Sequence, residues 1–107
     1  MNRIVIACLV SLVFLPVPAH AVGNDQVALG KELAELNCTT CHNIEKTGDS
    51  PFAAAPPFRT IPLKYDPSEL EEAFVEGIVV GHPAMPEWEM TPEQAAALSA
   101  FIASLAK

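Results

Sequence analysis

The stretch NCTTCHNI, residues 37–44, decides how the rest of this chain is read. It contains Cys38-x-x-Cys41-His42, and a C-x-x-C-H run is the pattern of a c-type haem attachment site. The spacing has a chemical reason. On a helix, thiols one turn apart share a face, so each can add across one of the haem's two vinyl groups. The histidine directly after the second cysteine is then carried under the macrocycle, where its imidazole reaches the iron. Cys38, Cys41 and His42 are therefore the expected cofactor-binding residues, with His42 the proximal ligand of a single covalent haem c.

Other chemistries use the same atoms. A thioredoxin-like redox pair needs a βαβ context, and the chain carries no strand pattern. A structural zinc site would draw on Cys38, Cys41, His42 and His82, but adjacent Cys41 and His42 would have to reach one ion from neighbouring backbone positions. Their spacing also fits no common zinc finger. A disulfide closing so short a loop would add little stability.

Upstream, Met1, Asn2 and Arg3 precede an apolar run from Ile4 to Leu15, then Pro16-Val17-Pro18 and the small-residue triplet Ala19-His20-Ala21. This is the layout of a secretory signal with an A-x-A cleavage site after Ala21. Its apolar run is shorter than the roughly 20 residues a membrane-spanning helix needs. Residues 1–21 are thus expected to be a cleaved leader that takes Cys8 with it, and residues 22–107 a single domain without a membrane span. The expected location is the periplasm. Of the 107 residues, 13 are Asp or Glu and 6 are Lys or Arg, a net charge of −7 that becomes −8 when Arg3 leaves. Such a balance argues against nucleic acid and anionic membranes as partners and favours a protein with a basic docking patch. A domain this small builds only a modest core and gains from a staple or cofactor.

Around the motif, Val27, Ala28, Leu33, Ala34 and Leu36 recur at helical spacing and predict a helix from Asn24 to about Thr40, with Asn24 or Asp25 as N-cap. Gly30 sits mid-helix, where glycine costs about 1 kcal/mol relative to alanine, and a close helix contact would explain it. Residues 43–66 lose all periodicity, and Pro51, Pro56, Pro57 and Pro62 exclude a long helix or central strand. A loop of that length needs an object to wrap. A second helix begins with Asp66 as N-cap, Pro67 in the first turn and Glu69 closing a capping box. Leu70, Ala73, Phe74 and Ile78 give it an apolar stripe, and Gly81 and Pro83 are expected to stop it. Thr91-Pro92-Glu93-Gln94 repeats the device for a last helix buried through Leu98, Phe101, Ile102 and Leu105. The fold class is all-α.

In the order of these elements the chain resembles the small class I bacterial cytochromes c: a helix ending in CTTCH, the Pro-rich APPFR (55–59), a capped middle helix, the MP pair (85–86) and a C-terminal helix. The likeness extends over essentially all of residues 22–107, and CTTCH is its most specific part. It implies a fold in which the N- and C-terminal helices cross, with one middle helix and a long Pro-rich loop around the haem. Gly30 stands where the family's glycine lets the two helices cross closely against an aromatic, here Phe101. The family's proline whose carbonyl accepts the proximal histidine's hydrogen bond matches Pro56, with Pro57 as second choice because the loop length differs. Such a bond orients the imidazole and raises its basicity.

For the iron's other face the candidates are His82, Met85 and Met90. Pro83 and Pro86 bias the residues before them away from helical geometry and stiffen the segment, which suits a weak thioether ligand. The resemblance assigns the distal position to Met85 of the MP pair, and His/Met ligation raises the reduction potential. Met90, at the position before a Thr91 N-cap, pairs with Ala95 as a hydrophobic staple, while His82 would make a bis-His site of lower potential. Trp88 reads as packing for this segment. Arg59 and Tyr65 are either partners for haem propionates or surface side chains, and Glu69, Glu71, Glu72 and Glu76 form a solvated helix face that would also serve partner docking. With both axial positions filled, the expected function is one-electron transfer between a donor dehydrogenase or reductase and an acceptor oxidase or reductase, with no catalysis of its own. The rival readings, a peroxidase-like enzyme and a gas sensor, both require an open or displaceable distal position.

Overall fold

The first and last turns of a helix leave N–H and C=O groups without intrahelical partners, and two helices of this chain end those groups with the side chains that the sequence marks for it. A computed structural model describes residues 11–16, 20–77, 85, 86 and 88–106. Helix α2, Pro67–Glu76, is capped by Asp66, whose carboxylate accepts from Ser68 N–H at 2.9 Å while Asp66 N–H donates to Glu69 Oε2 at 3.1 Å. Helix α3, Pro92–Ser104, repeats the box: Gln94 N–H donates to Thr91 Oγ1 at 3.2 Å and Thr91 N–H to Gln94 Oε1 at 3.1 Å. The Ser68 bonds pull the Asp66 carboxyl below its ordinary value of 3.8. Its capping contribution is therefore complete above that value and is lost as the pH falls through the depressed one.

Two boundaries differ from expectation. Helix α1 spans His20–Asn37, so Asn24 and Asp25 lie inside it rather than capping it. No proline separates Pro18 from Asn24, so nothing in the backbone stops an N-terminal extension. At its other end the helix stops at Asn37, short of Thr40, although Cys38 N–H still donates to Ala34 O at 2.8 Å. Helix α2 ends at Glu76, where Gly77 takes a left-handed conformation with φ 73° and donates its N–H to Ala73 O. Glycine enters that region without steric cost, so it stops the helix before Gly81 and Pro83. Those two residues, like Ile78, lie outside the described residues. Within the long Pro-rich segment, Phe58–Leu63 forms a 3₁₀ helix containing Pro62, a piece short enough to tolerate the missing donor.

Helix α3 is the centre of the packing: α1, α2 and the 3₁₀ helix all rest against it. Ala34, Ile44, Phe58, Leu70, Met90, Ala95, Leu98, Phe101 and Ile102 form the buried core. Among the described residues there is no strand, and no helix is long and apolar enough to cross a membrane. Leu12, Val13, Phe14 and Leu15 are 77–87% exposed and stay outside that core.

α1 and α3 cross at Gly30. A Cβ there would lie 2.6 Å from the Ala97 carbonyl carbon, nearer still to its oxygen, and 2.8 Å from Phe101 Cβ. The obstacle is helix backbone, which cannot rotate aside. Gly30→Ala is therefore expected to destabilise the protein by about 1–3 kcal/mol in chemical denaturation, the usual range for overpacking. Gly23→Ala, with no atom within 4 Å of the added carbon, should cost nothing. Equal midpoints for the two variants would refute the close crossing.

Candidate functional site

Residues 38–42 prolong the line of α1 by one more turn. His42 N–H donates to Cys38 O at 2.8 Å and Cys41 N–H to Cys38 O at 3.2 Å. Both cysteines are free thiols, and both line, with His42, a cavity of about 580 Å³. Burial pushes the Cys38 thiol up to about 11, so at neutral pH its sulfur keeps its proton. Cys38 and Cys41 would hold a haem through thioether bonds, for which each would contribute its sulfur and hydrogen across one vinyl double bond.

His42 is buried at 8% exposure, and its Nδ1 lies 2.7 Å from Pro56 O. A carbonyl only accepts, so Nδ1 carries the proton and the ring's lone pair is on Nε2. The competing proline is occupied otherwise: Pro57 O accepts from Thr60 N–H at 2.9 Å and from Thr60 Oγ1 at 2.7 Å. Phe58 packs against the imidazole with ring centroids 5.1 Å apart at 53°. Sequence reasoning gave Phe58 no role, although an aromatic in an otherwise irregular Pro-rich loop is a signal that the loop has something to pack on.

The remaining walls come from every other element. Phe52, Pro56, Phe58, Ile61 and Tyr65 line the cavity from the loop and 3₁₀ helix, Leu70 and Phe74 from α2, and Leu98 and Ile102 from α3. Met85, Pro86, Trp88 and Met90 line it from the segment between α2 and α3. Both methionines thus reach the cavity, but their settings differ. Met90 is a buried core residue whose N–H donates to Phe74 O at 3.0 Å, directly before the Thr91 cap and in one core cluster with Ala95. Met85 is only half-buried. His82 lies outside the described residues. Tyr65 stands on the cavity wall at 37% exposure, whereas Arg59 is not part of the lining and donates from Nη1 to Gly48 O at 2.7 Å.

This arrangement suits a haem. The volume falls in the range of about 300–1,000 Å³ typical of cofactor pockets. The walls are largely apolar, as a flat apolar macrocycle requires, while two thiols and a buried imidazole of fixed tautomer share the lining. A zinc site fits less well: among the described residues no three His, Cys, Asp or Glu side chains are grouped to hold a metal ion.

The family model for cytochrome c matches residues 27–106. No curated protein and no solved structure matches the chain. Replacing both Cys38 and Cys41 by Ser is expected to abolish covalent haem, read as loss of haem from the polypeptide on a denaturing gel. Either single variant should keep one thioether and shift the absorption maximum of the reduced protein. Haem that stays bound through denaturation in the double variant would disprove attachment at these sulfurs.

Proposed function

Since this chain belongs to the cytochrome c family, whose members hold haem covalently and carry electrons, we propose that it is a periplasmic monohaem carrier with His42 and Met85 as the axial ligands. The observation that carries the reading is the bond of His42 Nδ1–H to Pro56 O beside the two cysteines on one cavity lining. Haem supplies the one-electron couple of its iron. The residues around it do the rest. Cys38 and Cys41 tether the macrocycle, Pro56 holds the imidazole in one tautomer and orientation, and the apolar walls exclude water. Met85 is favoured for the second axial position because it lines the cavity next to Pro86, without the core and staple duties that occupy Met90. A filled second position leaves no coordination site for substrate, so the protein transfers electrons and catalyses nothing alone.

Residues 1–21 are the proposed export signal. Cleavage after Ala21 would remove the first two residues of α1 and bring Asn24 or Asp25 close to the new helix start, where either can cap it. The proposed partners are redox proteins with basic docking patches, met by the acidic surface that includes Glu69, Glu72 and Glu76, all exposed on α2.

Two measurements test this reading. Met85→Ala should abolish the methionine–iron charge-transfer band of the oxidised protein and lower its midpoint potential, whereas Met90→Leu should keep the band at some cost in stability. A band that survives Met85→Ala would sink the ligand assignment, and its absence from the unsubstituted protein would favour an enzyme or a sensor. Reversing the charge of Glu69, Glu72 and Glu76 should flatten the salt dependence of electron transfer to a basic partner. An unchanged salt dependence counts against that docking surface.

A further inference from the structure

Asn43 follows His42 in the chain, and every polar atom it has is engaged. Its N–H donates to Ser50 Oγ at 3.0 Å and its carbonyl accepts from Phe58 N–H at 2.9 Å. Its Oδ1 accepts from Glu45 N–H at 2.7 Å, and its Nδ2 donates to the carbonyls of Thr47 at 3.1 Å and Asp49 at 3.2 Å. Gly48 lies under this clasp with φ 95°, and a Cβ on it would come 2.9 Å from Asn43 Nδ2. Arg59 reaches back from the 3₁₀ helix to Gly48 O, closing the loop from its far side.

The clasp matters because of what Pro56 lacks. Neither Pro56 nor Pro57 has an N–H, so this pair cannot fix itself to the fold by donating a backbone bond. Its position depends on its neighbours. On one side Ala55, buried, donates its N–H to Phe52 O at 3.0 Å. On the other, Phe58 donates to Asn43 O. His42 and Asn43 therefore face Pro56 and Phe58 through two adjacent rungs, His42 Nδ1 to Pro56 O and Phe58 N to Asn43 O. The Asn43 side chain sets the course of the backbone at one end of both.

We propose that Asn43 is a positioning residue for the proximal ligand: by clasping residues 43–50 it holds the Pro56 carbonyl on the His42 ring and so helps to set the reduction potential. The inference rests on His42 being the axial ligand. A short bond from Nδ1–H to a carbonyl sends electron density into the imidazole and makes it the better donor. A better donor favours ferric over ferrous iron and lowers the potential. Loosening the clasp therefore raises it.

The test uses the haem-loaded protein carrying Asn43→Ala or Ser50→Ala, with Asp66→Ala, which removes the α2 cap, as a control for destabilisation alone. The midpoint potential and the solvent exchange of the His42 Nδ1–H, followed by NMR, are the readouts. Both loop variants should raise the potential and speed the exchange several-fold, Asn43→Ala more than Ser50→Ala, while Asp66→Ala lowers thermal stability and leaves both readouts unchanged. Wild-type potential and exchange in Asn43→Ala overturn the proposal. If that variant does not accumulate, the same result in Asn43→Asp, which keeps the Oδ1 acceptor but loses both Nδ2 donations, overturns it. Absence of hyperfine-shifted His42 ring protons in the unsubstituted protein overturns the axial assignment, and the proposal with it.

Discussion

A cavity of about 580 Å³ opens beside the buried core, and each helix and the Pro-rich loop contribute to its lining. The constraint this imposes is severe. Leu70, Leu98 and Ile102 turn toward it from the buried core, whereas Phe74, Met85 and Trp88 on the same lining are only half-buried, and fully burying such a side chain is worth about 1.5–3 kcal/mol. A domain of this size has few such contributions to forgo. The covalent haem that the family carries would be a structural element as much as a redox centre, because it would cover the half-buried Phe74, Met85 and Trp88. Attachment through the sulfurs of Cys38 and Cys41, as proposed, would keep the haem in place whatever the oxidation state of the iron.

The position of the cavity wall depends in turn on the helix crossing. Gly30 brings α1 onto the backbone of α3 at Ala97, and Cys38 follows eight residues later, a rise of about 12 Å along a helix axis. The register of α1 on α3 therefore determines where the two thiols and His42 emerge. A glycine that looks like a defect in a helix becomes the reference point for the attachment site. α3 has to serve both contacts at once, offering Ala97 and Phe101 to α1 while Leu98 and Ile102 line the cavity.

Much of this was legible in the sequence wherever a local rule decides the outcome. The boxes at Asp66 and Thr91 were readable because cap and partner lie three residues apart, and the structure has both reciprocal bonds in each. CTTCH was readable because its chemistry fixes its spacing. Less accessible were features that depend on competition or on distance. Gly77 and Gly81 are both able to end α2, and only the left-handed φ at Gly77 decides between them. The start of α1 had two good caps, Asn24 and Asp25, neither of which is used. The contact of Phe58 with His42 and the five bonds of Asn43 join residues through a loop without periodicity. Pattern reading has no purchase on such a loop, although its asparagine, glycine and prolines mark it as turn-rich.

The parts that surround the cofactor are held by separate devices. The thiols depend on the α1–α3 crossing, the His42 ring on the Pro56 carbonyl and the loop behind it, and the methionine-bearing segment on the bond from Met90 N–H to Phe74 O and on the cap of α3. Because these devices share few residues, a change in one need not propagate to the others. An electron carrier benefits from that separation. Its ligands should move as little as possible between oxidation states, which calls for stiff supports, yet its potential must be adjustable to its partners, which calls for supports that vary one at a time. With His42 as the proposed ligand, a loop outside the helical framework that is bonded to one ring nitrogen would meet both demands: it could retune the imidazole while the helices that line the cavity stay where they are.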